Sequence, residues 1–264
     1  MRQFLVKPDP YIRRAGHLDA AVVERHVPGA PAFMRGLRAA FVSDTHVLKR
    51  STRPEIDALA EKIAAASPDI LLLGGDYSEQ VEDVERLFGA LRGVVPPLGG
   101  YGVIGNNDAE TWKGRLDRLG AVMRKAGCEM LVNGQVHFKH NGGTIWIGGV
   151  DEHLHGTPDA QGLYPEAPAP DIYRVLLSHY PVMPAVKPDL LLCGHTHGGQ
   201  FNLMGLTPFS IGFERFKRPR VSALAVAGLH DIDGVKVFVS KGIGASRLQL
   251  RVCVRPEIDL LVFG

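Results

Sequence analysis

The chain has 264 residues, a net charge of +2, and 45% hydrophobic against 22% charged residues. This composition can fill a large core, so it excludes a disordered chain, and so mild a charge does not by itself indicate nucleic-acid binding. Its three scattered cysteines form no C-x-x-C pair, and it has no signal-like or membrane-spanning apolar run, so we expect a cytoplasmic protein.

Strands alternate with helices in the first half of the predicted fold. Short apolar runs predict strands at 37–42, 69–73 and 101–104. Helical spacing of apolar residues predicts a helix that has Pro54 in its first turn and ends at Ser67-Pro68, then helices at 81–91 and about 111–126. Residues 1–36 contain four prolines, and we expect an irregular lead-in there.

Strand-like runs dominate the second half. They lie at 135–139, 144–150, 173–177, 190–193, 223–227, 235–239 and 258–262, and a Pro/Ala/Gly-rich loop is expected at 156–170. Alternating elements followed by strands in series predict an α/β fold, a four-layer α/β/β/α sandwich of two mixed sheets flanked by helices. We therefore expect one domain over 37–264 after the lead-in.

Polar residues follow five of the predicted strands. In an open α/β sheet the carboxyl ends of strands form the ligand crevice, so these residues should meet at one rim. Seven oxygen and nitrogen donors exceed the four that a tetrahedral zinc takes, and they suit two adjacent cations. The candidate metal ligands are Asp44, His46, Asp76, Asn106, His179, His195 and His197. A single D-x-H or Gly-Asp is often only a turn, and the joint pattern carries the prediction.

The pattern resembles the calcineurin-like metallophosphoesterases, and in particular their YkuE/YaeI-type bacterial phosphodiesterase branch. The shared motifs are D-x-H, G-D, G-N-x-D, S-H and G-H-x-H, together with the runs at 239–244 and 255–258. The resemblance spans roughly residues 37–262. It implies a hydrolase that cleaves a phosphate ester with two divalent ions, of which Mn²⁺ is favoured and Fe, Zn²⁺, Co²⁺ or Ni²⁺ are alternatives.

The resemblance also implies a division of roles among the ligands. Asp44, His46 and His197 would hold one ion, Asn106, His179 and His195 the other, and Asp76 would bridge them. Many relatives have histidine after the ligand asparagine, where this chain has Asn107. An amide cannot supply a proton to a poor leaving group such as an alkoxide. Phosphodiesters or pyrophosphates with better leaving groups are therefore the favoured substrates. Asp108 is expected to orient a ligand histidine.

Two other functions stay open. One is a phosphomonoesterase, including a protein phosphatase; the other is a non-catalytic binding module on the same fold, although all seven ligand positions are filled. The expected partner is a small phosphate ester or a lipid-linked substrate. Nucleic acid is not expected, because no basic stripe with interleaved aromatic residues is present, and no obligate protein partner is evident.

Three further groups are candidates for substrate contact. Asp151, His153 and His155 follow a strand, and a polar loop near the site is their simpler interpretation. The stretch 201–213 is apolar and basic residues follow it, so 201–220 is either a core strand or lid, or a surface suited to an amphiphile or a peripheral membrane contact. Arg218 and Arg247 could bind phosphate oxygens.

Overall fold

The computed structural model describes residues 6–14, 18–94, 96–164, 169–211, 223–246 and 248–264. These residues form fourteen strands and four α-helices. The strands are β1 (Ile12–Arg14), β2 (Ala21–Val27), β3 (Arg38–Val42), β4 (Ile70–Leu73), β5 (Gly100–Gly102), β6 (Cys128–Met130), β7 (Gly134–His140), β8 (Gly143–Gly149), β9 (Ile172–Ser178), β10 (Leu190–Cys193), β11 (Gly228–Ile232), β12 (Val235–Val239), β13 (Leu250–Val252) and β14 (Glu257–Phe263). The helices are α1 (Arg53–Ala65), α2 (Val81–Leu91), α3 (Asn106–Thr111) and α4 (Leu116–Lys125).

Two six-stranded mixed sheets form the centre of the protein. The first has the order β2-β14-β3-β4-β5-β6, with β3 to β6 parallel. The second has the order β11-β12-β10-β9-β8-β7, with β12, β10, β9 and β8 parallel. The prediction of two mixed sheets with flanking helices is confirmed.

Buried apolar side chains lie in three layers around these sheets. Side chains such as Phe41, Leu72, Leu192 and Phe238 fill the space between the sheets. The helices α1, α2 and α4 cover the outer face of the first sheet. In the described part of the chain, the outer face of the second sheet packs against loop segments that include Ala160, Leu163 and Tyr164. Burial of each large apolar side chain contributes roughly 1.5–3 kcal/mol.

The helix α1 shows how local sequence sets an element. Thr52 and Glu55 form a capping box, in which each side chain accepts a hydrogen bond from the other residue's backbone N–H. Pro54 lies in the first turn, where a missing N–H costs no helical hydrogen bond. The buried face carries Ile56, Leu59, Ala60 and Ile63, as the spacing predicts.

Four local expectations differ from the structure. The expected irregular lead-in contains β2, which pairs with β14 at the edge of the first sheet, and β1, which pairs with β13. The single helix expected at 111–126 is wrong, because Gly114 at φ +70° separates α3 from α4. The strand expected at 223–227 is also wrong, since β11 begins only at Gly228. The short strands β6 and β13 were not predicted.

Candidate metal centre

The seven candidate ligands follow the carboxyl ends of five parallel strands, as expected. Asp44 and His46 follow β3, Asp76 follows β4, and Asn106 begins α3 shortly after β5. His179 follows β9 directly, and His195 and His197 follow β10. Because the strands of both sheets end at the same rim, side chains from distant parts of the sequence meet there.

Five of the seven have a left-handed backbone conformation. The φ angles are +53° at Asp44, +40° at His46, +55° at Asp76, +70° at His195 and +52° at His197. Such conformations cost of order 1–3 kcal/mol each for residues other than glycine, and they cluster at functional sites. The fold therefore holds these side chains in place at a cost in stability.

Asp44, His46 and His197 form the enclosed half of the site. Each offers a donor atom, and the three atoms lie within 4.8 Å of one another. The His197 Nε2 atom is 3.4 Å from Asp44 Oδ1. All three residues are buried, with side-chain exposures between 0% and 6%. A Cβ at Gly194 would collide with the side chains of Ser43 and Asp44, so only glycine allows this approach.

Asp76 lies between the two halves of the site. Its Oδ2 atom is 3.5 Å from His46 Nε2 and 3.4 Å from His179 Nε2. Donor atoms of Asp44, Asp76 and His179 also lie within 4.8 Å of one another. The second half of the site, which we call the open half, thus begins at His179, and its other members, Asn106 and His195, are only partly buried.

Tyr180 links the two partly buried members of the open half. Its ring stacks on His195 with 3.8 Å between ring centroids, and its hydroxyl donates to Asn106 Oδ1 at 3.3 Å. His195 Nδ1 is in turn 3.3 Å from His179 Nε2. Tyr180 was missed by the sequence analysis, because a tyrosine beside a histidine has no motif that signals a stack on a residue fifteen positions later.

The donor set fits divalent cations. Two buried carboxylates, Asp44 and Asp76, lie close together among imidazoles, an arrangement that opposite charge must stabilise. The buried His46 Nε2 atom has no hydrogen-bond partner in the described part of the chain. The imidazole–carboxylate separations of 3.4–3.5 Å are long for hydrogen bonds. They match the roughly 3.3–3.4 Å that separates two ligands about 2.0–2.1 Å from a tetrahedral ion.

The Nδ1 atoms of two histidines are held by groups outside the ligand cluster, so Nε2 faces the carboxylates. His179 Nδ1 donates to the carbonyl oxygen of Gly74 at 2.8 Å, and His197 Nδ1 lies 3.3 Å from both the carbonyl oxygen of Gly244 and the Arg251 guanidinium. Backbone carbonyls commonly orient ligand histidines in this way.

Local charges shift the pKa values at the site in different directions. Burial raises the pKa of Asp44. Burial also acts to raise the pKa of Asp76, but the charges of His179 and His46 outweigh it, and the pKa lies below its usual range. Burial opposes the charged form of His179, yet Asp76 raises the pKa of His179 to about 10. Burial lowers the pKa of His197, so this ring is neutral.

Asn107 and Asp108 contact Asp76 and the turn that carries it. The Asn107 amide donates to Asp76 Oδ2 at 3.1 Å and also lines the cleft described below. Asp108 was expected to orient a ligand histidine. Instead, its buried carboxylate accepts the backbone N–H groups of Asp76, Tyr77 and Gly105, at 2.6, 3.0 and 2.9 Å. Asp108 therefore shapes the two ligand-bearing turns, and burial raises its pKa to about 7.

Arg251 is a second residue that sequence analysis missed. Its guanidinium is fully buried and donates to the carbonyl oxygens of Gly244, Lys241 and His197, at 2.6, 2.8 and 3.3 Å. Burial lowers its pKa to about 10, so it stays charged. Arg251 thereby ties the turn that carries His197 to the loop at 241–244.

The loop at 151–155 lies at the edge of the site. Asp151 accepts the backbone N–H groups of Glu152 and Thr157, so it stabilises the loop itself. The His153 ring lies 5.6 Å from the Tyr180 ring, and His155 lines the cleft. The simpler interpretation, a polar loop near the rim, fits Asp151, while the two histidines face the site.

A cleft of about 680 Å³ opens onto the candidate ligands. Asp76, Asn106, His195 and His197 lie in its wall, as do apolar residues such as Phe201 and Phe209. Arg218, Arg247 and the basic part of 201–220 lie outside the described residues. In the described part of the chain, every helix is too short or too polar to span a bilayer.

Comparison with known proteins gives a consistent family assignment. Residues 37–199 match the family model for the calcineurin-like phosphoesterases. The uncharacterized metallophosphoesterase YkoQ of Bacillus subtilis (strain 168) is 30% identical over 87% of this chain and 84% of its own length. The uncharacterized metallophosphoesterase YkuE of the same organism is 26% identical over 85% and 78%. The phosphodiesterase YaeI of Escherichia coli (strain K12) is 32% identical over 78% and 73%.

Proposed function

The chain belongs to the calcineurin-like phosphoesterase family, and on that premise we propose that it hydrolyses a phosphodiester or pyrophosphate bond with two divalent metal ions. The observation that carries the proposal is the meeting of two buried carboxylates with three buried imidazoles at the carboxyl ends of parallel strands. The name of the relative YaeI, a phosphodiesterase, supports the choice of diester.

We assign the ligands to two ions by their contacts. Asp44, His46 and His197 would hold one ion in the enclosed half. Asn106, His179 and His195 would hold the other in the open half, with Asp76 shared. When bound, two such ions lower the pKa of a nearby water and neutralise charge on the phosphate and on the attacking and leaving oxygens. Mn²⁺ is our first choice of metal, although oxygen and imidazole donors also accept other divalent ions.

The protein's own residues orient this centre. Tyr180 positions Asn106 and His195, and the Asn107 amide positions Asp76. The site carries no histidine at position 107 that could protonate a leaving group. Esters that need little protonation of the leaving oxygen, which include aryl diesters and pyrophosphates, are therefore the expected substrates.

The test compares bis-p-nitrophenyl phosphate with p-nitrophenyl phosphate, using protein supplied with Mn²⁺. We expect a higher kcat/KM for the diester. A clear monoester preference would instead identify a phosphomonoesterase. Metal analysis of the parent and of Asp76→Ala separates both from a binding module, which would show no metal-dependent turnover on diesters, monoesters or pyrophosphates.

A further inference from the structure

Exposed apolar side chains concentrate beside the cleft. Seven large hydrophobic residues are exposed in the described part of the chain, and five of them lie on the two segments that border the cleft. These five are Leu203, Met204, Leu206, Ile211 and Leu248, with exposures of 68%, 97%, 54%, 67% and 69%. We call residues 201–211 together with Leu248 the apolar rim. Clustered exposure of this kind marks a binding surface more often than chance.

A tight hairpin displays part of this rim. Leu203 and Leu206 exchange backbone hydrogen bonds of 2.9 and 3.0 Å, and the two residues between them, Met204 and Gly205, have φ angles of +55° and +94°. Asn-Gly is the preferred pair in hairpin turns with two positive φ angles. Methionine offers the backbone no advantage here, so its exposed side chain needs another explanation.

The hairpin is firmly attached to the fold. Asn202 is fully buried, donates to the carbonyl oxygen of Val6 at 2.7 Å and accepts the N–H of Gly205 at 2.8 Å. Backbone hydrogen bonds of 2.9 Å join Asn202 and Gln200 to Val252. The apolar side chains are thus presented by an ordered support.

The lining of the cleft combines two chemistries that suit one kind of molecule. Asp76, Asn106, His195 and His197 of the candidate metal centre supply polar groups, where a phosphate would lie. Phe201, Pro208, Phe209 and Leu248 supply apolar surface. A volume of about 680 Å³ accommodates a small organic ligand. We propose that the cleft binds an amphiphilic phosphate ester, with its phosphate at the metal centre and its aliphatic chain on the apolar rim; this rests on the proposed phosphoesterase function.

The test uses two diesters that differ only in their alkyl group, p-nitrophenyl octyl phosphate and p-nitrophenyl ethyl phosphate, at concentrations where both are monomeric. In each, water adds to phosphorus, the bond to the nitrophenyl oxygen breaks, and p-nitrophenolate, a proton and the alkyl phosphate are released. Each buried methylene contributes roughly a fourfold factor. We therefore expect kcat/KM of the parent protein to be at least about tenfold higher for the octyl ester.

Substitution of the rim should remove this preference. In the triple variant M204Q/L206Q/L248Q, the ratio of the two kcat/KM values should fall at least about threefold, because the alkyl chain loses three exposed aliphatic side chains of the rim and keeps Phe201, Pro208 and Phe209. Val22→Gln is the matched control, since Val22 is an exposed apolar residue, at 40%, that does not line the cleft. The control should keep the parent ratio.

Calorimetric titration with octyl phosphate and ethyl phosphate gives a second readout that needs no turnover. The parent should bind the octyl compound at least about tenfold more tightly, and the triple variant should not.

Equal kcat/KM for both diesters overturns the inference and leaves the proposed function standing. If neither ester is hydrolysed, the phosphodiesterase form of the proposed function fails, and the calorimetric difference still decides the inference. Rim-dependent sedimentation with phosphatidylcholine vesicles, without a preference for monomeric octyl compounds, would identify a membrane contact and also overturn it.

Discussion

The enclosed and open halves of the candidate site are held in different ways. Asp44, His46 and His197 are buried, have left-handed backbones and are supported by neighbouring turns. Asn106 and His195 are partly exposed to the cleft, and Tyr180 contacts both. The open half also contains a buried member, His179, and a left-handed backbone at His195. The difference is therefore one of exposure: the enclosed half is buried throughout, whereas two members of the open half face incoming substrate and share contacts with one aromatic side chain.

The largest effect should come from the residue that both halves share. In Asp76→Asn the side chain keeps its shape but loses the negative charge that both ions need, so kcat/KM on bis-p-nitrophenyl phosphate should fall roughly 1000-fold or more. Metal analysis should show the loss of at least one ion per chain. Asp57→Asn, on the surface of α1, is the control and should behave like the parent. Activity of D76N within tenfold of the parent would show that the two halves do not act together.

The enclosed half should be the more sensitive to loss of its support. Arg251→Met leaves three backbone carbonyls without their buried donor. Each unsatisfied group costs roughly 1–3 kcal/mol, so the free energy of unfolding should fall by about 3 kcal/mol or more. Urea denaturation followed by circular dichroism measures this change. Arg255→Met, which breaks a partly exposed ion pair with Asp9 and a contact with the Tyr11 ring, should change stability by less than about 2 kcal/mol. Equal effects of the two substitutions would contradict the distinction.

The loss of a ligand from the open half should be compensated by a higher metal concentration, because this half faces the cleft. We expect His195→Gln to lower kcat/KM roughly 100-fold at micromolar Mn²⁺ and to recover much of it at millimolar Mn²⁺, since loss of one donor weakens but does not abolish binding. His197→Gln in the enclosed half should not recover. Activity measured across a Mn²⁺ titration compares the two variants. The same response from both would contradict the expected difference between the open and enclosed halves.

The smallest effects should arise at Tyr180 and should separate its two contacts. Tyr180→Phe keeps the stack on His195 and loses the hydrogen bond to Asn106, so the apparent Mn²⁺ affinity should fall roughly 2–10-fold. Tyr180→Ala loses both contacts and should lower it roughly 10–100-fold. Tyr101→Phe on β5 serves as the control. If the alanine variant binds Mn²⁺ as tightly as the parent, Tyr180 does not position the open half.

Several features of the fold could be predicted because their signals are local. The continuous apolar runs of β4 and β10 and the capped, amphipathic α1 have clear patterns over a few residues. The edge strand β2 has no such local pattern, because most of its residues are at least partly exposed. Its pairing partner β14 is more than 230 residues away in sequence. The break between α3 and α4 occurs at Gly114, and a single glycine within a helical pattern does not by itself predict a break.

The sequence by itself determined which side chains could bind metal, because each motif places donors just after an apolar run, and parallel strands end at a common rim. Only the tertiary structure decided how those donors are held. The left-handed backbone at Asp44 and His197, the stack of Tyr180 on His195 and the buried Arg251 depend on contacts between segments far apart in the chain. The stack joins the turns after the neighbouring strands β9 and β10, and Arg251 on β13 joins the turn at His197 to the loop at 241–244. Such contacts form only when separate segments pack together, and no pattern within one segment encodes them.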